Sequence, residues 1–336
     1  MKKFFLFVFL AGLFSGKTAG QDPVYSQFFA AGLQLNPAFA GSAFAPRFSL
    51  NYRNQWPGFG SAYTTYSASY EQSMESINSG IGFTAMGDNQ GQGIFKTNRF
   101  GAIYSYQLPL SEQLFIKIGF EAAMHQVNLD WDKLIFVDQI DPIEGNVFSS
   151  EETRPDVTSR TTFDATTGLL IYGEKMYAGL SLRHLNTPTT TLLPAGNLAS
   201  DQAFLPMRIS LHGGAEFTIR EGNRVRPTSF WSPNLLFEKQ GEFKQLNVGA
   251  YVGIGPMFGG LWFRHTFGNA DATIVLVGIR QGIFKLGLSY DTTVSGLSGH
   301  TGGSYEVSLG ILLDQDSVLR KKRQRNQLND CLHMFR

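Results

Sequence analysis

In this 336-residue chain, Gly296-Leu297-Ser298-Gly299-His300 comes nearest to a catalytic pattern. It approaches the Gly-x-Ser-x-Gly elbow, where a sharp strand-to-helix turn presents a serine hydroxyl for attack on a carbonyl. Here the last glycine is replaced by histidine and both flanks read as strands, so no hydrolase site is expected. His125, His184, His212 and His265 stand singly within strand-like stretches, with no pair at zinc-ligand spacing, and read as inward-facing or packed side chains. Gly253-Ile254-Gly255 lacks the further glycine and the helix that a phosphate cradle needs. It reads instead as a place where strands bend or pack closely. The stretch from Leu129 to Arg160 carries Asp130, Asp132, Asp138, Asp141, Glu144, Glu151 and Glu152. These are oxygen ligands of the kind calcium takes, but without an EF-hand pattern, and a solvated loop is the better reading. No catalytic residue, cofactor or metal site is expected.

The more informative residues alternate. Leu114, Ile116, Ile118, Phe120, Ala122 and Met124 interleave with Phe115, Lys117, Gly119, Glu121, Ala123 and His125. A period of two is that of a β-strand with one apolar and one mostly polar face. Its length exceeds the usual strand of a soluble sheet and suits a tilted strand crossing a bilayer. Met207 to Ile219 and Tyr305 to Leu313 repeat the alternation. Fourteen such segments are read, near 46–54, 61–71, 79–87, 97–107, 113–128, 161–173, 175–186, 204–220, 227–239, 243–255, 257–267, 271–281, 283–293 and 303–313. Connections after even-numbered segments are short, and the long ones, at 129–160, 187–203 and 294–302, all follow odd-numbered segments. Outer-membrane barrels sort their loops this way, with short turns on the periplasmic side. The expected fold is all-β: a transmembrane antiparallel β-barrel of about 14 strands over 46–314, with both chain ends periplasmic. Arg47, Arg53, Lys117, Glu121, Asp164, Arg183, Arg208, Glu216, Arg264, Lys285, Asp291 and Glu306 would then share one lumen. Mixed signs there allow either a salt-bridged, closed interior or a wet channel.

The two ends of the chain read differently from its middle. Residues 1–20 open with Lys2 and Lys3, followed by the apolar run Phe4 to Phe14 and small residues before the cut, the form of an export signal. Residues 21–45 form a lead-in broken by Pro23 and Pro37, with a short helical turn between them, and this lead-in could enter the barrel from the periplasmic end and plug it. Residues 315–336 form a short basic periplasmic tail containing Arg320, Lys321, Lys322, Arg323 and Arg325. That run is read as a solvated flank or as a docking site for an acidic periplasmic partner. A net charge of +1 argues against a nucleic-acid partner. The single cysteine, Cys331, leaves no internal disulfide.

Asp22-Pro23-Val24-Tyr25-Ser26-Gln27, then Asn36-Pro37-Ala38-Phe39-Ala40-Gly41, then Tyr52-Arg53-Asn54-Gln55-Trp56 resemble the opening of the PorP/SprF family. The likeness continues through Ala178 to Asn186 with Pro188, Gly287 to Asp291 and Gly303 to Leu309. The tail keeps a cysteine and an aromatic in Cys331-Leu332-His333-Met334-Phe335 but lacks the proline of the family's usual ending. The resemblance implies a non-enzymatic outer-membrane component of the type IX secretion and gliding machinery. Such a component would receive or anchor a secreted surface protein as cargo, sit in outer-membrane lipid, and contact a periplasmic peptidoglycan-associated protein. From the barrel alone the rival reading is a general diffusion channel for small solutes. Candidate partner or lumen residues are Asp22, Tyr25, Asn36, Arg47, Arg53, Asp164, Arg183, His184, Asp291, Glu306 and the five cations of the tail.

Overall fold

The computed structural model describes residues 21–43, 45–60, 63–141, 143, 145–146, 149–192, 204–221, 228–268, 271–294 and 302–313. Among these, fourteen strands form one sheet. They are β1 (Arg47–Gln55), β2 (Tyr63–Met74), β3 (Ser79–Gln90), β4 (Phe95–Pro109), β5 (Leu114–Leu129), β6 (Ser159–Gly173) and β7 (Met176–Arg183). They continue as β8 (Arg208–Ala215, resuming as Phe217–Arg220), β9 (Ser229–Gln240), β10 (Phe243–Ile254), β11 (Met257–Thr266), β12 (Ala272–Gln281), β13 (Phe284–Thr293) and β14 (Ser304–Leu312). Neighbours are antiparallel throughout. β1 pairs with β14, from Arg47 opposite Leu312 to Gln55 opposite Ser304, which closes the barrel. Among the described residues closure leaves no sheet edge save at Phe217–Arg220, beyond the end of the neighbouring strand, which nearly meets the condition for a strand structure in hydrocarbon, where no water can satisfy a free backbone group.

The alternation sorts the faces as the sequence predicts. On β5, Phe120 and Met124 are 59% and 58% exposed, whereas Lys117 and Glu121 are 1% and 3% exposed. The outer band is therefore apolar and the charges point inward, the inverse of a soluble sandwich. The two longest connections, 130–158 and 184–207, lie at one mouth; at the other the turns are short apart from 221–228. By the loop-length rule the long-loop mouth faces outside.

Two segments depart from expectation. β8 starts at Arg208 and breaks at Glu216, whose N–H donates to the Lys175 carbonyl at 2.7 Å. β7 begins at Met176, opposite Ala215, so the remainder of β8 has only β9 to pair with. β7 itself ends at Arg183 because His184 takes up a left-handed backbone, φ 59°.

The lead-in lies inside the barrel. It contains one helical turn, α1 (Gly32–Leu35), and a 3-10 turn at Pro37–Phe39 that Asn36 caps by accepting the Ala38 N–H at 2.8 Å. Read backwards from β1, it enters at the short-turn mouth, as expected. It then climbs to Asp22, whose N–H donates to Gln240 at the far end of β9. The start of the described chain therefore stands at the long-loop mouth, which corrects the expectation of two periplasmic ends. At that mouth Asp22 meets the cationic partners His184 and Arg208.

The lumen is also less uniformly polar than the alternation alone implied. Phe28 and Phe29 of the lead-in meet an apolar wall on β10 and β11, with Phe28 edge-on to Trp262 at 4.9 Å and Phe29 edge-on to Tyr251 at 5.0 Å.

Candidate functional site

The polar residues of the lead-in and the charges of the wall form three groups. The first surrounds Ser26 and Gln27. Glu306 on β14 accepts the Ser26 and Gln27 backbone N–H groups at 2.8 and 3.0 Å. The Ser26 hydroxyl donates to Asp291 on β13 at 2.6 Å and accepts from Arg53 on β1 and Arg264 on β11 at 2.6 and 2.7 Å. Both guanidiniums also reach Asp291 at 2.9 Å. The Gln27 amide donates to Ser289 and to the Glu306 carbonyl and accepts from Ser308. Two arginines and two carboxylates are thus buried with their charges balanced, which keeps burial from being prohibitive. Tyr25 is buried beside this group.

The second group begins at Asp22. Its carboxylate is 2.8 Å from His184 Nε2 and 3.6 Å from Arg208. The other ring nitrogen of His184 is 3.0 Å from Asp164 on β6. Asp164 accepts from Arg99 on β4, and Arg99 grips Glu121 on β5 with two parallel bonds of 2.8 and 2.9 Å. Arg208 pairs with Glu238 on β9. The third group secures the turn. The Asn36 amide donates to the carbonyls of Leu169 and Leu180 at 3.1 and 3.2 Å and lies 3.0 Å from His212, on which Phe39 stacks. Arg183 donates to the Gln34 carbonyl, and Glu71, paired with Arg47, accepts the Ser42 N–H. Gly119 and Gly168, paired across β5 and β6, leave room for Pro37 and Asn36, which an added Cβ at either position would strike.

All the candidate residues from Asp22 to Glu306 therefore face the lumen, and they hold a segment of their own chain. Arg320, Lys321, Lys322, Arg323 and Arg325, Cys331, residues 1–20 and the elbow-like Gly296 to His300 lie outside the described residues. Sequence reading missed Arg99, Glu238 and Asp88, although each occupies an inward position of the same alternation. It also missed Ser26 and Gln27 as individual ligands of the wall. In the outer loop, the Glu151 N–H and the Ser150 hydroxyl donate to Asp138 and hold its carboxyl below the ordinary value. Among the described residues, no three His, Cys, Asp or Glu side chains gather as metal ligands would.

Residues 17–311 match the model of the type IX secretion system membrane protein family PorP/SprF. The chain belongs to the PorP/SprF family. A PorP/SprF chain folded as a closed strand barrel is an outer-membrane component of type IX secretion. No curated protein matches it. Solved structures resemble it at low identity. The CymD monoaromatic hydrocarbon channel is 11% identical, with TM-score 0.43, over 84% of this chain and 91% of that one. The KdgM porin is 8% identical, with TM-score 0.37, over 79% and 98%. BamA from Haemophilus ducreyi lacking POTRA domains 1–3 is 9% identical, with TM-score 0.37, over 80% and 70%.

Proposed function

We propose that this PorP/SprF protein is a closed, non-enzymatic outer-membrane receptor. It receives or anchors a secreted surface protein at its long-loop mouth and contacts a periplasmic partner through its basic tail. The observation that carries this reading is the lead-in, which crosses the lumen from the short-turn mouth up to Asp22, the floor of the outer cavity, and ties down most of the charges a wet channel would expose. A diffusion channel needs that path to be clear. With it filled, the useful surfaces are the two mouths, as suits a component that holds cargo on one side and machinery on the other. Residues 1–20 serve as the export signal in this reading, and residues 315–336 lie in the periplasm.

Planar-bilayer recording of the full-length barrel tests closure, and co-purification from native membranes tests the receptor role. The expected result is no steady conductance together with recovery of an exported surface protein. A large, stable open pore would favour the diffusion channel, and recovery of the barrel without any exported protein would remove the receptor role.

A further inference from the structure

Above the lead-in, at the long-loop mouth, lies a cavity of about 670 Å³, inside the range of roughly 300–1,000 Å³ typical of ligand sites. Its floor is Asp22 to Val24, and its wall is made of the outer ends of the strands. The arginines that reach it, Arg53 and Arg264, are already held by Asp291, Glu306 and Ser26. Asp88 on β3 differs from them. It is 2% exposed and lines the cavity, and its carboxylate accepts only from Thr65 at 2.6 Å and Gln90 at 2.9 Å. No described residue forms an ion pair with it. A buried carboxylate held by neutral donors alone keeps most of its desolvation cost.

Two further groups in the same cavity have an unused polar atom. Gln245 on β10, 3% exposed, has no acceptor for its Nε2, and His125 on β5, 5% exposed, has no partner at Nδ1. β3 and β10 stand seven strands apart around the fourteen, on opposite sides of the lumen. A lone cation could answer Asp88 but could not also reach Gln245. An extended chain bearing a cationic side chain answers both. Trp56 and Phe95 also line the cavity, and aromatic rings are groups that attract a guanidinium.

We propose that this outer cavity binds a basic polypeptide segment, seating an arginine or lysine side chain against Asp88 and the segment's backbone against Gln245 and His125. The proposal rests on the reading of this mouth as a receptor and identifies the chemistry it selects. Because the lead-in closes the floor, the cavity takes a chain end or a short loop and does not pass a threading chain.

The test uses the full-length barrel in detergent, titrated with three capped tripeptides, Gly-Arg-Gly, Gly-Gln-Gly and Gly-Glu-Gly, and read by calorimetry. The arginine peptide is expected to bind about tenfold or more tighter than the glutamate peptide, the scale of a charge-assisted hydrogen bond. Asp88→Asn should abolish that preference, and Gln245→Leu should weaken the arginine and glutamine peptides equally. Equal affinity for all three peptides, no binding, or a preference that survives Asp88→Asn would overturn the proposal. Equal affinity or no binding in the wild-type protein overturns the proposal even if a variant fails to assemble. Charge-blind binding alongside recovery of an exported protein from membranes would sink this site and leave the receptor standing.

Discussion

The Ser26 hydroxyl uses its one proton on Asp291 and both lone pairs on Arg53 and Arg264, which exhausts what a hydroxyl can offer. Ser26→Ala takes a partner from each guanidinium where water has little access, and is expected to destabilise the assembled barrel by about 1–3 kcal/mol. Arg53→Met goes further. It strips Asp291 and Glu306 of a cation and should cost about 3–5 kcal/mol. Denaturant titration of the refolded protein in detergent measures both, and the arginine variant must be the weaker. Gly168→Ala has a different mechanism, because its Cβ would enter the space of Asn36 and Pro37. That variant should loosen the lead-in while the strands persist, seen as intermittent conductance in a bilayer. A silent bilayer would mean that the turn simply shifts aside.

At the scale of the element, β5 tests the assignment of faces. Ile118→Arg on the lipid face should cost about 2–4 kcal/mol near mid-membrane. Its neighbour Lys117 is fully buried in the lumen and already engaged, so Lys117→Gln is no surface change and should also destabilise the fold. What separates the two is solvent, since lipid composition should move the first penalty and leave the second. The strands were legible in the sequence because lipid and lumen impose opposite demands on alternate residues, and a period of two survives every other influence. Their ends are legible to within a few residues, the start of β8, expected at 204 and found at Arg208, being the furthest off. Pairings inside the lumen were harder to read, because alternation tells which side a charge faces but not which charge it meets. Asp22 and His184 are 162 residues apart in the chain, and nothing in their local context joins them. The apolar wall around Tyr251 and Trp262 was hidden for the same reason, since it looks lipid-facing until the lead-in is inside.

For the whole molecule, the two mouths carry separable properties. Protease added to intact cells should cut within 130–158, and Asp138→Ala should hasten the cut by releasing Ser150 and Glu151. The C-terminal tail should be spared, and cleavage there from outside would reverse the orientation. Changing Arg320, Lys321, Lys322, Arg323 and Arg325 to Gln should leave the barrel assembled while lowering recovery of a periplasmic partner at low salt, where such attractions are strongest. Equal recovery would reduce the tail to a solvated flank.

The residues of the lead-in precede all fourteen strands in the chain, yet Ser26 and Gln27 bind Glu306, 280 and 279 positions later. Arg53 and Glu306 are also direct partners across the seam where β1 meets β14. The first segment of the barrel therefore cannot settle until the last strand has arrived, and a slip of one residue at that seam would turn Glu306 outward into lipid. The plug thereby acts as an assembly gauge: only a barrel sealed in the correct register can retain it, and a mis-zipped one is left with a loose, protease-sensitive amino-terminal end.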